Sequence, residues 1–205
     1  MSADHQASAL ITTMRALHRR GWCDGTGGNF SVVTEREPLQ LLMAPSGVDK
    51  GAVTDSDLIV VNAAGDVVNG NGRASAETLL HLRIVDQCNA GAVLHTHSIN
   101  ATWLSRRFLD QGCLVLEGWE MLKGLEGVNT HATSIELPII NNDQDLTTLS
   151  ETAGQRLEQA PYGLLVSGHG LYAWGSDLQQ ARRHTEILEF LLELVWRQTL
   201  VTNNS

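Results

Sequence analysis

The chain has 205 residues and 22.3 kDa, enough for one α/β domain with a buried core. Its 14 Lys and Arg against 23 Asp and Glu give a net charge of −9 with no basic patch, which argues against electrostatic binding of nucleic acid. The sequence is 42% hydrophobic, yet no apolar run approaches the ~20 residues of a membrane span, and the opening MSADHQASAL lacks the basic and apolar regions of a signal peptide, so the expectation is a cytoplasmic protein. Cys23, Cys88 and Cys113 are an odd, scattered set and read as reduced thiols. Cys88 and Cys113 fall in apolar stretches and are expected to be packed; Cys23 adjoins a glycine-rich turn.

No repeat, low-complexity tract or linker interrupts the chain, so one domain over residues 1–205 is expected. Leu10, Ile11, Met14 and Leu17 recur at helical spacing, predicting a helix over Ala9–Arg20 stopped by Gly21. GWCDGTGGNFSVV and LQLLMAPSGVDKG each read as a strand with an adjoining glycine-containing loop. DLIVVNAAGDVVNG reads as a hairpin turning near Ala63–Asp66. The AETLLHLRIVDQC pattern predicts a helix starting close to Glu77, followed by the strand AVLHTHS, a short helix over Ala101–Phe108, the strand CLVLEG, the segment WEMLKGLEG and the strand HATSIELPII. A helix over 145–159, a strand pair in GLLVSGHGLYAWG and a closing helix over Asp177–Leu200 capped by Ser176 complete the chain. Helices alternate with strands and a hairpin, predicting an α/β layered domain whose sheet is mixed or mainly antiparallel.

The sharpest chemical signal is His95-Thr96-His97, because residues two apart on a strand project from one face. Imidazole ligands suit Zn²⁺ and its neighbours, and a catalytic site wants three protein ligands. His169 in Ser167-Gly168-His169-Gly170 is the candidate third ligand, since flanking glycines allow close backbone approach. The other histidines, His5, His18, His81, His131 and His184, are read as solvated or packing residues.

Three small-residue clusters, Gly27-Gly28-Asn29, Ser46-Gly47 and Ser75, are each only a turn when taken alone, but together suggest a phosphate pocket. No Walker-type or dinucleotide fingerprint is present. Among carboxylates, Glu77 stands at a predicted helix N-terminus, where capping and a functional role both fit. Glu120 lies among Trp119, Met121 and Leu122, which predicts desolvation and the raised pKa that suits acid/base work.

GTGGNFS, APSG, the Ser75–Glu77 stretch, HTHS and the late GHG occur in the order seen in the class II aldolase and adducin-head superfamily of zinc-dependent sugar-phosphate enzymes, and the chain resembles that superfamily over nearly its whole length. APSGVDKG, AVLHTHS and GWEMLKGLEG resemble its dehydratase branch. The resemblance implies a three-layer α/β/α sandwich with a mainly antiparallel central sheet, a homotetramer with active sites near subunit interfaces, and a sugar-phosphate substrate. It further implies one Zn²⁺ per subunit, or another divalent metal, on His95, His97 and His169. Glu120 then matches the acid/base, and Glu77 matches a catalytic glutamate position. Gly28, Asn29, Ser46, Gly47 and Ser75 match the phosphate site, with Lys50 beside them. The implied reaction, a step of methionine salvage, removes water from 5-methylthioribulose 1-phosphate to give a 2,3-diketone through a metal-stabilised enediolate. Ala76 and Gly168 depart from the aldolase pattern of serine and asparagine at those positions. The alternatives are a sugar-phosphate aldolase or 4-epimerase, disfavoured because no tyrosine follows Tyr172, and a binding scaffold like the adducin head, disfavoured by the three histidines.

Overall fold

In the computed structural model, which describes residues 3–202, the apolar stripe of Leu10, Met14 and Leu17 becomes the buried face of helix α1, Ala3–His18. The helix starts well before the apolar pattern and stops at His18 rather than Arg20. Gly21, at φ +71°, closes its end by donating to the His18 carbonyl while Trp22 donates to that of Leu17. Strands β1 (Asn29–Arg36) and β2 (Leu39–Met43) follow, then the expected hairpin of β3 (Ile59–Asn62) and β4 (Val67–Asn69). Asn62 builds its turn, its Oδ1 accepting from the amides of Ala64 and Asp66.

Helix α2 (Thr78–Cys88) leads to β5 (Ala92–Thr96) and helix α3 (Ile99–Arg107). Ser98 caps α3, accepting from the Ala101 amide, so the helix begins two residues earlier than its apolar pattern suggests. Strands β6 (Cys113–Glu117) and β7 (Ser134–Ile140), helix α4 (Leu146–Gly154), β8 (Gly163–Val166), β9 (Gly170–Gly175) and helix α5 (Leu178–Thr202) complete the order. Two further elements differ from expectation. The helix predicted to 159 ends at Gly154, with a separate 3-10 turn at Leu157–Gln159. At the start of α5 the cap is Asp177, whose carboxylate accepts from the Gln180 amide, whereas Ser176 only donates its own amide to the Gln180 side chain.

The nine strands form one sheet in the order β4-β3-β2-β1-β5-β9-β8-β7-β6, and every neighbouring pair is antiparallel except β7–β8. Residues of α2 and α4 pack with Leu41, Val93 and Trp174 on one face. Those of α1 pack with Val32, Leu42 and Leu94 on the other, where α3 and α5 extend the layer over Leu165, Leu171 and Ala173. This is the three-layer α/β/α sandwich with a mainly antiparallel sheet. Strand alternation therefore sends Val93 and His95 to the α2 side and Leu94 and Thr96 to the α5 side. No helix among the described residues is long and apolar enough to cross a membrane.

The cysteines redistribute relative to expectation. Cys23 is the fully buried one, and burial pushes its thiol up to about 12, while Cys88 and Cys113 are only half-buried at the ends of their elements.

Candidate metal centre

His95 stands near the end of β5, in the middle of the sheet, and is completely buried. Its Nδ1 lies 2.9 Å from the Leu171 carbonyl, which can only accept, so Nδ1 carries the proton and Nε2 is left as a bare lone pair. The Tyr172 ring stacks flat on the imidazole, 3.9 Å between centroids and 9° between planes, fixing its tilt. Burial drives the His95 pKa well below that of an ordinary imidazole, and burial lowers that of His97 as well.

The His97 Nε2 lies 2.7 Å from the His95 Nε2, and the His169 Nε2 lies 3.3 Å from it on a third side. His169 sits in the β8–β9 turn, where its amide donates to Val166 and Gly168 adopts φ +63°. Glu77 Oε1 completes the group, 3.0 Å from His169 Nε2 and 3.7 Å from His95 Nε2. One ligand atom from each of these four side chains lies within 4.8 Å of all the others. His95 Nε2 has no proton to give, so its lone pair faces the Nε2 atoms of His97 and His169 as an acceptor or a ligand. Three imidazole nitrogens and a carboxylate oxygen converging on one point fit a divalent cation such as Zn²⁺.

Glu77 stands at the N-terminal boundary of α2 without capping it through its side chain. Its carboxylate instead accepts from Asn29 Nδ2 and turns inward to the histidines, while its amide donates to Ser75 Oγ at 3.3 Å. Burial, the largest single influence, works against the Glu77 charge, but the His169 hydrogen bond and the charges of His95, His169 and His81 together outweigh it and hold the carboxyl well below the usual carboxylate range. Glycines make the space. A Cβ on Gly170 would stand 2.0 Å from the Thr96 carbonyl oxygen, one on Gly27 2.9 Å from the His97 ring, and one on Gly28, at φ +77°, 2.7 Å from the His95 carbonyl. Gly28→Ala is therefore expected to combine left-handed strain with a backbone clash and to cost about 2–4 kcal/mol, read as a lower midpoint in denaturant with the slope unchanged.

The loops that carry the other expected phosphate residues are linked by hydrogen bonds. The Ser46 amide donates to the Arg73 carbonyl, setting the exposed Ser46-Gly47 turn beside the Ser75 stretch. Lys50 is almost fully buried, and its Nζ donates to the carbonyls of Thr26 at 2.9 Å and Val48 at 2.8 Å, tying the Gly27-Gly28 loop to the Ser46-Gly47 loop. Burial lowers its pKa.

Glu120 does not join this group. It opens a 3-10 turn, Glu120–Gly124, behind β6, the far edge strand four places from β5. The expected desolvation is absent: its side chain is 69% exposed, and the hydrogen bond and charge of Lys123 at 2.6 Å, with His131 at 3.3 Å, lower its pKa. Met121 points outward beside it, and only Leu122 of the flanking apolar residues is buried.

Three polar residues near the centre carry no signal in the motifs. Tyr172 is buried with its hydroxyl unpartnered, and burial, then the Glu77 charge, raises the phenol well above its usual range. His81, on the buried face of α2, meets Ser31 Oγ at 2.8 Å and turns an edge to Tyr172. Glu189 is buried on α5 against Thr96 and Ser98. Strand register gives the first, since Tyr172 pairs with His95. The last is visible as a carboxylate on the helix stripe Thr185, Leu188, Glu189 and Leu192. A separate cavity of about 690 Å³, lined in part by Cys88, Glu126, Tyr162, Trp174 and His184, contains none of the converging donors.

Residues 8–196 match the class II aldolase and adducin N-terminal domain family. The methylthioribulose-1-phosphate dehydratase of Serratia proteamaculans (strain 568) is 43% identical over 206 residues, covering 98% of both chains. That of Yersinia enterocolitica serotype O:8 is 41% identical over 100% of this chain and 97% of the relative. Among solved structures, the L-fuculose-1-phosphate aldolase of Thermus thermophilus superposes with a TM-score of 0.79 at 23% identity, covering 98% of both chains. The sugar-phosphate aldolase of Thermotoga maritima gives 0.77 at 18% identity, over 97% of this chain and 96% of that one.

Proposed function

The chain belongs to the class II aldolase and adducin N-terminal domain family, and from that premise we propose that it is a metal-dependent hydro-lyase that removes water from methylthioribulose 1-phosphate. The observation that carries this reading is full-length identity above 40% to dehydratases of that name, and the converging His95, His97, His169 and Glu77 give it a chemistry. His95, His97 and His169 would hold one Zn²⁺ per subunit. When bound, the cation supplies Lewis acidity that makes the proton beside a ketone easier to remove.

The remaining steps belong to the protein. Gly28, Asn29, Ser46, Gly47 and Ser75 bind the phosphate through backbone N–H groups and hydroxyls, and Lys50 holds their loops in register and adds a positive charge. Asn29 also orients Glu77. Glu120 takes the proton from C3, the C3–H electron pair passes onto the C2 carbonyl to give an enediolate, and its return forms the C3=C4 double bond as the C4 hydroxyl departs as water with a proton returned by a carboxyl. The enol product then tautomerises to the 2,3-diketone. Glu77 assists as the carboxylate facing the reacting carbons.

An exposed Glu120 cannot have the raised pKa this role needs until something covers it. Assembly into a homotetramer with active sites at subunit interfaces supplies that cover, and the enzyme would act in the cytoplasm within methionine salvage.

The test is incubation of metal-analysed protein with methylthioribulose 1-phosphate, following diketone and, in parallel, any aldehyde. Diketone that disappears on chelation and returns with Zn²⁺ is the expected result. Aldehyde instead of diketone would move the chain to the aldolase side of its family, and no turnover with metal bound would refute the substrate.

A further inference from the structure

Alternation along β5 sends Thr96 away from the histidines and into the layer beneath α5, where it meets Glu189. The Glu189 carboxylate is 1% exposed and accepts from Thr96 Oγ1 at 2.6 Å through one oxygen and from Ser98 Oγ at 2.5 Å through the other. No ion pair reaches it among the described residues. Its flanking positions on α5 belong to the core: Leu188, Leu191 and Leu192 are buried with Leu104, Leu171 and Ala173. A lone carboxylate among leucines is costly, because no cation offsets its desolvation.

What it does do is local to His97. Thr96 and Ser98 are the residues on either side of that ligand, so both hydroxyls that bracket His97 are held by one side chain of another element. From the opposite side the His97 amide donates to the Trp22 carbonyl at 2.7 Å. Ser98 Oγ, besides donating to Glu189, accepts from the Ala101 amide and so starts α3. The strand end carrying His97 is thus pinned between the Trp22 loop and α5 at the place where β5 stops and the chain turns into α3. With one oxygen for each, the carboxylate satisfies both hydroxyls at once. An amide at 189 would present an NH₂ to one of them and leave a hydroxyl proton without an acceptor in the core.

We propose that Glu189 is a positioning residue of the metal centre: by accepting from the two hydroxyls that bracket His97, it fixes where that imidazole presents its nitrogen and thereby sets the affinity for the divalent cation. This rests on the reading of His95, His97 and His169 as ligands. Its effect is that of an outer partner that orients a ligand without touching the metal.

The test is Zn²⁺ affinity of the apo protein, measured by competition with a chromogenic chelator, for wild type, Glu189→Gln, Thr96→Val, the double variant of these two and His169→Ala, with thermal unfolding of each apo protein alongside. Glu189→Gln is expected to weaken Zn²⁺ binding about 10- to 100-fold. Thr96→Val is expected to weaken it less, and the double variant to lose less than the product of the two, because both act on one contact. A purely structural role would lower the apo unfolding temperature and leave affinity unchanged, and that result in both single variants would overturn the proposal. If Glu189→Gln does not fold, wild-type affinity in Thr96→Val overturns it alone. Wild type binding Zn²⁺ no more tightly than His169→Ala would instead defeat the metal reading on which the proposal stands.

Discussion

Replacing His169 by alanine is expected to lower kcat/KM by about 10³-fold or more and to abolish the Zn²⁺ dependence of thermal stability. It is cleaner to remove than His95. His95 lies under the stacked ring of Tyr172 and bonds to Leu171 across the sheet, so its loss opens a cavity in the core and confounds folding with ligation. His169 is 20% exposed in a turn whose backbone is already set by its amide bond to Val166 and by Gly168. Its alanine variant should therefore fold with nearly wild-type apo stability. A ligand that binds only the native state stabilises it by RT ln(1 + [L]/Kd), about 4 kcal/mol when Zn²⁺ stands at 1,000 times its Kd. Wild type should show that upward shift in unfolding temperature and His169→Ala should not, with an equal loss after chelation of wild type. A His169→Ala enzyme with wild-type turnover would remove the metal from the mechanism.

The parts of the site readable in the sequence are those written as local spacing. His95 and His97 face one way because a strand alternates, and Gly168 and Gly170 around His169 admit the turn that brings it to them. Glu77 too lies at the start of α2 as its position in the apolar pattern predicts, although spacing alone leaves capping open, and only the contacts to Asn29 and His169 show that it faces the centre. What spacing does not reveal depends on elements distant in the chain. Glu189 is 93 residues from Thr96, and Tyr172 reaches His95 only because β5 pairs with β9. Helix limits move for the same kind of reason: in the mostly polar stretch Ala3–Ser8, Ala7 is buried in the core and Gln6 donates to the Val33 carbonyl of β1, tertiary gains that apolar periodicity does not register. Glu120 departs from expectation differently. Apolar neighbours in sequence predict desolvation, but in the 3-10 turn that follows the edge strand Met121 turns to solvent, leaving the carboxyl between Lys123 and His131.

That exposure makes Glu120→Gln the most informative substitution in the chain. If Glu120 is the acid/base, the variant should keep Zn²⁺ affinity and fold normally, because an exposed side chain contributes little to stability, yet lose about 10²- to 10⁴-fold in kcat. Within one protomer Glu120 is not among the converging donors and sits in the turn that follows the edge strand β6, so its action is expected to cross a subunit interface. Subunit mixing reads this directly. A protomer with His97→Ala supplies an intact Glu120 but no complete metal site, and one with Glu120→Gln supplies the reverse. If each active site takes its histidines from one protomer and its glutamate from a neighbour, random co-assembly of the two inactive variants in equal amounts should restore about a quarter of wild-type activity, since half the sites carry intact histidines and half of those face an intact neighbour. If Glu120 serves its own protomer, every site in the mixture lacks one group and activity stays at the level of the parents. Wild-type kcat in Glu120→Gln alone would pass the proton transfers to Glu77, the one carboxylate already among the converging donors.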